Sequence, residues 1–362
     1  MPAPTSNIIR KPTQTPIIVA LEPAHHLLNS LMLLIQTEYL SGYSEWVTKT
    51  AVSLTPEQTH MNKLVLLGLH YAITPFRSWS SFESYLENLA AHNPVTLRNR
   101  ILDAYETLPE KIEGSIQDRD QILASADNYI EYLYGRFPDH EIDEVIERDA
   151  YALMIDPPKM QQTIVNHLND MWQTYLKPEW ERIQPMLQAS VDAFAQIDFS
   201  SMTPLEAAHT IIGQELPEYW EEMFAQKSDA KFIFVPSAHV GPYVGIFKQK
   251  EVVWILFGAR LPEGTEITSL DLSRSELLVR LNALADDTRL HILQIIRDEG
   301  EQCSPDIIQR FDISQSAASR HLKQLSATGY LMEQRRDGAK CYSLNPERIE
   351  SILQALSRFL LT

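Results

Sequence analysis

The sequence predicts a mainly α-helical protein with a small antiparallel β-sheet. A large α-helical N-terminal domain is followed by a C-terminal winged helix-turn-helix. Three observations carry this expectation. Apolar residues recur at helical spacing from Pro23 to Gln226, with prolines at segment boundaries. The texture changes at Lys231, where β-branched and aromatic residues run together up to Phe257. Between Ser304 and Leu344 a capped helix, a tight turn, a second capped helix and an Asp-Gly hairpin follow in order. With 362 residues and 44% hydrophobic content, the chain can bury two or three cores.

Residues 1–16 hold four prolines and no apolar core, so they read as a disordered arm and not as a signal peptide. Pro16 to Leu21 predicts a short strand, and Pro23 to Leu40 a largely apolar, buried helix. Glu45 to Leu54 and Pro56 to Ile73 predict two more helices, the second capped by Thr55. Phe82 to His92, Pro94 to Thr107, Arg119 to Arg136 and Ile142 to Ile155 continue the pattern. Pro157 to Leu176 and Pro178 to Ile197 read as long amphipathic helices separated near Pro178. Pro204 to Leu216 and Pro217 to Gln226 finish the run. Phe232 to Val235, Val244 to Lys248 and Val252 to Phe257 then predict the small antiparallel sheet, within residues 231–258. Their unbroken apolar character suggests cover on both faces. Ser269 to Ser275 reads as the connection onward, with residues 17–270 as the first domain and 271–362 as the second.

In the second domain, Ser304-Pro305-Asp306 is a strong helix start: an N-cap, proline at the first position and an acid in the first turn. That helix is short, and a turn at Asp312-Ile313 feeds Ser314, a second N-cap. In the helix that follows, Ala318, Leu322 and Leu325 face inward. Ala317, His321, Gln324 and Thr328 lie along one side. Gln315, Ser316, Ser319, Arg320 and Lys323 are left outside: short polar groups and an amide for base edges, cations for phosphates. Gly329 suits the left-handed stop. Asp337-Gly338 between two strand-like runs is a hairpin turn, with Arg335, Arg336 and Lys340 near its tip. The candidate DNA-binding residues are thus Ser314, Gln315, Ser316, Ser319, Arg320, His321, Lys323, Arg335, Arg336 and Lys340.

Residues 275–345 resemble the ArsR/SmtB family of winged helix-turn-helix repressors. LNALADDTRLHILQII (Leu281 to Ile296) is similar to the family's opening helices, and SQSAASRHLKQLSATGYL to its recognition helix and wing entry. The resemblance implies a cytoplasmic homodimer that binds a dyad operator in double-stranded DNA and is released by an inducer. The family's best-known metal site uses paired cysteines before the recognition helix. Cys303 falls at the first of those positions and Pro305 at the second. The last helix, Pro346 to Leu361, has no histidine for the family's other metal site. No metal site and no cofactor are therefore expected. The N-terminal part resembles the helical extension of some long ArsR-like regulators.

Net charge is −17, which alone argues against nucleic acid. It is unevenly spread. From Leu272 onward there are 12 basic and 12 acidic residues, and before it 19 and 36. The acidic part should sit away from DNA. Two cysteines, Cys303 and Cys341, suggest no disulfide framework and suit a reducing cytosol. The longest apolar run, Leu27 to Ile35, is too short to span a membrane and contains Asn29 and Ser30.

No HExxH, G-x-S-x-G, Walker loop or CxxC occurs, so the first domain is not expected to be an enzyme. His25 and His26 are adjacent and point to different sides of a helix. Pro236 to Tyr243 is the most unusual stretch. Ser237, His239 and Tyr243 are candidate polar handles for a small apolar or aromatic effector, although a rigid hairpin loop explains them equally well. The alternative to a ligand-controlled regulator is a helical enzyme or protein-interaction domain fused to a winged helix that binds a partner.

Overall fold

The computed structural model describes residues 17–107, 118–138, 142–213, 216, 219–227, 230–262, 270–336 and 338–361. The arm at residues 1–16 and the turn residue Asp337 lie outside the described residues.

Strand β1 (Ile17–Val19) leads into helix α1 (Pro23–Gln36). Leu27, Leu31 and Ala24 are fully buried, and so are His25, His26 and Ser30. A helix apolar on nearly all sides belongs in a core. Helices Glu45–Ser53, Pro56–Lys63 and Phe82–Ala91 pack on it, and Pro94–Glu106, Ala126–Arg136, Glu144–Met154 and Pro157–Met171 extend the same core. Their starts are chemically marked. Thr55 accepts from the Gln58 N–H, and the Gln58 side chain reaches back to the Thr55 N–H.

Some expected helices divide. Arg119 to Arg136 is two helices, because Ser125 caps a new one by accepting from the Asn128 N–H. Pro157 to Ile197 runs on through a π-helical turn, Trp172–Leu176, into α2 (Lys177–Phe194). Pro178 has no N–H for the Thr174 carbonyl and would press on it. The wider turn just before relieves that conflict.

Strands β2 (Lys231–Ser237), β3 (Gly245–Lys248) and β4 (Val252–Gly258) join β1 in one sheet of order β1-β2-β4-β3. This sheet is mixed, not antiparallel as expected. β1 and β4 run parallel to β2, and only β3 with β4 is antiparallel. The tight β3–β4 turn makes one hairpin. The loop after β2 carries the chain past the position β4 will fill, leaving β2 and β4 parallel. Both faces are covered, as their apolar runs require. Ile233, Val235, Trp254 and Leu256 face the α1 core, while Phe232, Phe234, Ile255 and Phe257 pack with Phe194, Ile211, Trp220 and Phe224.

The second unit begins with α3 (Leu270–Leu284), so most of the expected connection is helical. Then come α4 (Asp287–Glu299), β5 (Gln302–Cys303), α5 (Ser304–Phe311), α6 (Gln315–Ala327), β6 (Leu331–Arg336), β7 (Ala339–Leu344) and α7 (Pro346–Leu361). The sheet β5-β7-β6 is antiparallel.

Candidate nucleic-acid interface

Asp312 adopts a left-handed conformation (φ 49°), a geometry acidic side chains tolerate, and so turns α5 into α6. Ser314 caps α6, its hydroxyl accepting from the Ala317 N–H at 3.2 Å. Ala318, Leu322 and Leu325 are buried, the two leucines against Ile292, Ile296, Ile307 and Tyr330. That anchoring leaves Gln315, Ser316, Ser319 and Lys323 exposed and Arg320 half-buried on the opposite side. The helix therefore presents an amide, hydroxyls and cations on one face. This is what reading base edges between phosphates requires.

His321 sits differently from the other candidates. It is half-buried, with Nδ1 3.7 Å from Asp286 Oδ1, at the α3–α4 junction held by Arg289. Burial keeps its imidazole below the usual value, and Asp286 opposes this. The Arg289 guanidinium donates to the Ala283 carbonyl and, at 2.8 Å, to the Asn282 carbonyl. His321 thus belongs to the packing behind α6 and not to its outward face.

In the wing, Gly338 takes φ 82°, as the turn demands. Arg335 and Lys340 are register partners across β6 and β7. Lys340 Nζ lies 2.5 Å from Glu333, and Arg336 Nε lies 2.8 Å from Glu301. Such exposed pairs are worth about 0–1 kcal/mol, so a phosphate can displace them.

Sequence reasoning missed the back of α6. Gln324 is 1% exposed, and its Oε1 accepts from the Ser41 hydroxyl at 2.6 Å. The Tyr243 hydroxyl donates to the Ser41 carbonyl at 2.6 Å. Gly42 has φ 94°, and a Cβ there would lie 2.8 Å from the Gln324 amide nitrogen. The recognition helix is thus docked on the helical domain through residues 41–43. No local pattern links Ser41 to Gln324. The glycine in the turn after α1 was the one available signal.

Of the three effector candidates, Ser237 and Tyr243 line one small cavity together, and His239 does not line it. Ser237 is buried and accepts from the His239 N–H at 3.2 Å, closing its own turn. His239 is fully buried, its Nε2 2.9 Å from Glu179 Oε1 and its Nδ1 2.7 Å from Ser30 Oγ. It stacks on Trp46 at 4.5 Å. Burial lowers the His239 pKa, against the pull of Glu179. Burial would raise the Glu179 carboxyl, but hydrogen bonds from His239 and Arg182 bring it below its ordinary value. Tyr243 instead faces the winged helix through Ser41. His25 and His26 diverge as expected: His25 stacks on Trp254 at 4.2 Å, and His26 lies 5.2 Å from the His239 ring.

The cysteines overturn an expectation. Cys303 and Cys341 form a disulfide, tying the start of α5 to the wing. They are direct partners across β5 and β7, a proximity hidden by a sequence separation of 38.

A short helix, a turn, a second helix with a polar outer face and a cationic hairpin define a winged helix-turn-helix. The chain is a DNA-binding transcriptional regulator. The family described as bacterial regulatory protein, arsR family, matches residues 286–332. The chain is similar to the arsenical resistance operon repressor of Staphylococcus aureus, 37% identical over 87 residues, covering 24% of this chain and 82% of that protein. It is 42% identical over 64 residues to the arsenic resistance transcriptional regulator ArsR1 of Pseudomonas putida. That match covers 18% of this chain and half the length of that relative. Among solved structures, HlyU from Vibrio cholerae matches at 27% identity, covering 25% of this chain and 96% of that one, with a TM-score of 0.20. NolR from Sinorhizobium fredii matches at 28% identity over 26% of this chain and 94% of that one, with a TM-score of 0.21. The chain belongs to the arsR family of bacterial regulatory proteins.

Proposed function

We propose that the protein is a transcriptional repressor that binds a dyad operator as a homodimer and is controlled by a small molecule acting through its helical domain. One observation carries the control: the recognition helix is held on that domain by the Gln324–Ser41 hydrogen bond of 2.6 Å. A shift of residues 41–43 moves α6 directly. Dimerisation is supported by α3 and α7, which pack on each other and leave Leu278, Leu353, Phe359 and Leu360 exposed. Ile349, Ile352, Leu353, Leu356, Phe359 and Leu360 form an apolar stripe along α7, of which Ile349 and Ile352 pack into their own core. The exposed remainder is available to a second copy.

A catalytic role for the helical domain finds less support. Ser30, His239 and Glu179 form a hydrogen-bonded chain, but Ser30 and His239 are 0% exposed. Their role is to clamp α1, α2 and the loop after β2 together.

The test is a fluorescence-anisotropy titration of the full chain on the DNA upstream of its own operon. The expected result is a saturable complex of two chains per site, with half-sites about 34–36 Å apart. Binding no tighter than to a shuffled duplex would overturn the reading.

A further inference from the structure

A crevice of about 1780 Å³ lies between α1, β3 and the winged helix. Leu28, Met32 and Phe247 give it an apolar wall; Lys323 and Arg335 line it from the winged helix, where Glu333, paired with Lys340, and Glu347 also line it, as does Glu222 from the helical domain. Asn29 also lines it, is 8% exposed, and its amide nitrogen has no hydrogen-bond partner. A buried amide stripped of water calls for an acceptor, and groups left so are exceptions needing a cause. The neighbouring backbone holds it there: a Cβ on Gly245 would lie 2.6 Å from Asn29 Oδ1.

We propose that this crevice is the effector site, and that its ligand is an anionic arene: a flat apolar body with one oxyanion group. The body would lie on Leu28, Met32 and Phe247, an oxygen would accept from the Asn29 amide, and the negative charge would be drawn to Lys323 and Arg335. The proposal rests on the effector-controlled reading above and moves the site away from Ser237 and His239. It also explains how signal and operator compete. Lys323 and Arg335 are exposed cations that both the ligand and DNA phosphates would use. Occupying the crevice therefore weakens operator binding, and operator binding weakens the ligand by the same factor.

The probe is 1-anilinonaphthalene-8-sulfonate, with N-phenyl-1-naphthylamine as the same arene without the sulfonate. The full chain is titrated with each, and fluorescence gives stoichiometry and Kd. The expected result is one sulfonate probe per chain, the uncharged arene binding at least tenfold weaker, and displacement of the sulfonate by operator duplex. Asn29→Ala should weaken the sulfonate at least tenfold, and Met32→Trp, which puts a bulky ring on the apolar wall where the arene would lie, should weaken it at least tenfold as well. Gly245→Ala provides a second route to the same loss by displacing Asn29, and an unchanged melting midpoint separates loss of site from loss of fold. Sulfonate binding unaffected by Asn29→Ala and Met32→Trp overturns the site, while leaving effector control through other residues standing. Binding that depends on Asn29 but leaves operator affinity unchanged upholds the site and overturns the control reading.

Discussion

Several histidines of this protein sit in buried settings that set their protonation. His25, His26 and His239 are fully buried, and burial lowers the pKa of each. His167 is pushed down to about 4 by the same cause. A histidine depressed in the folded state binds its proton more readily when unfolded. Stability is therefore complete above about pH 6.5 and falls as pH drops toward the folded values. For His167 that window runs from 6.5 to about 4. Each such histidine contributes a slope of up to about 1.4 kcal/mol per pH unit. Urea midpoints measured from pH 7.5 to 4.5 should fall steadily below 6.5, and a flat profile would refute the burial argument. Glu179→Ala should cost about 1–3 kcal/mol, because it leaves the His239 ring nitrogen without an acceptor in the core. Chemical denaturation at pH 7.5 measures that loss. A change below 0.5 kcal/mol, within the spread of ordinary surface substitutions, would count against the clamp.

At the scale of elements, the recognition helix and the wing divide the labour. Gln315→Ala or Ser316→Ala should relax preference at particular base pairs, each contact being worth about 1–3 kcal/mol. Arg335→Ala with Arg336→Ala should weaken all sequences alike and lower the salt slope by about two, since each removes a phosphate contact. Anisotropy against a panel of single-base operator variants at several salt concentrations separates the two. An equal loss on every sequence from Gln315→Ala would mean that α6 does not read bases. The Cys303–Cys341 disulfide closes a loop within this same unit. Cys303→Ser with Cys341→Ser should destabilise the winged helix by about 2–4 kcal/mol through the freer unfolded chain. Calorimetry should show the transition of the winged helix moving down while that of the helical domain stays. Coincident, unshifted transitions would argue that the bond contributes nothing.

For the whole molecule, charge is segregated. All of the net −17 lies before Leu272, and the DNA-binding unit is neutral overall, with five of its 12 cations (Arg320, Lys323, Arg335, Arg336 and Lys340) on α6 and the wing. An acidic body repels DNA from every other face and leaves the base-reading face as the productive approach. The exposed Leu353 and Leu360 lie on α7, which packs on α3. Leu353→Asp with Leu360→Asp should give a monomer at micromolar concentration, with operator affinity falling at least tenfold as the second half-site is lost. Light scattering checks the mass and anisotropy the affinity. A dimer that survives both substitutions would place the two-fold axis elsewhere.

What the sequence determined by itself was what a few neighbouring residues can enforce. Ser314 and Thr55 start helices because each cap needs only an N–H three residues ahead. The wing is readable because Gly338 and the strand-like runs beside it act within one turn. The inward and outward faces of α6 follow from the 3.6-residue period alone. Tertiary structure decided everything that depends on distant segments meeting. The parallel pairing of β2 with β4 requires knowing where the loop after β2 crosses, and strand composition is silent on that. The Ser30–His239 contact spans 209 residues and the Ser41–Gln324 contact 283. No local propensity encodes such pairs. The first arises only once burial brings α1 against the loop after β2, the second only once the helical domain and the recognition helix meet, where Arg260 also pairs with Glu276.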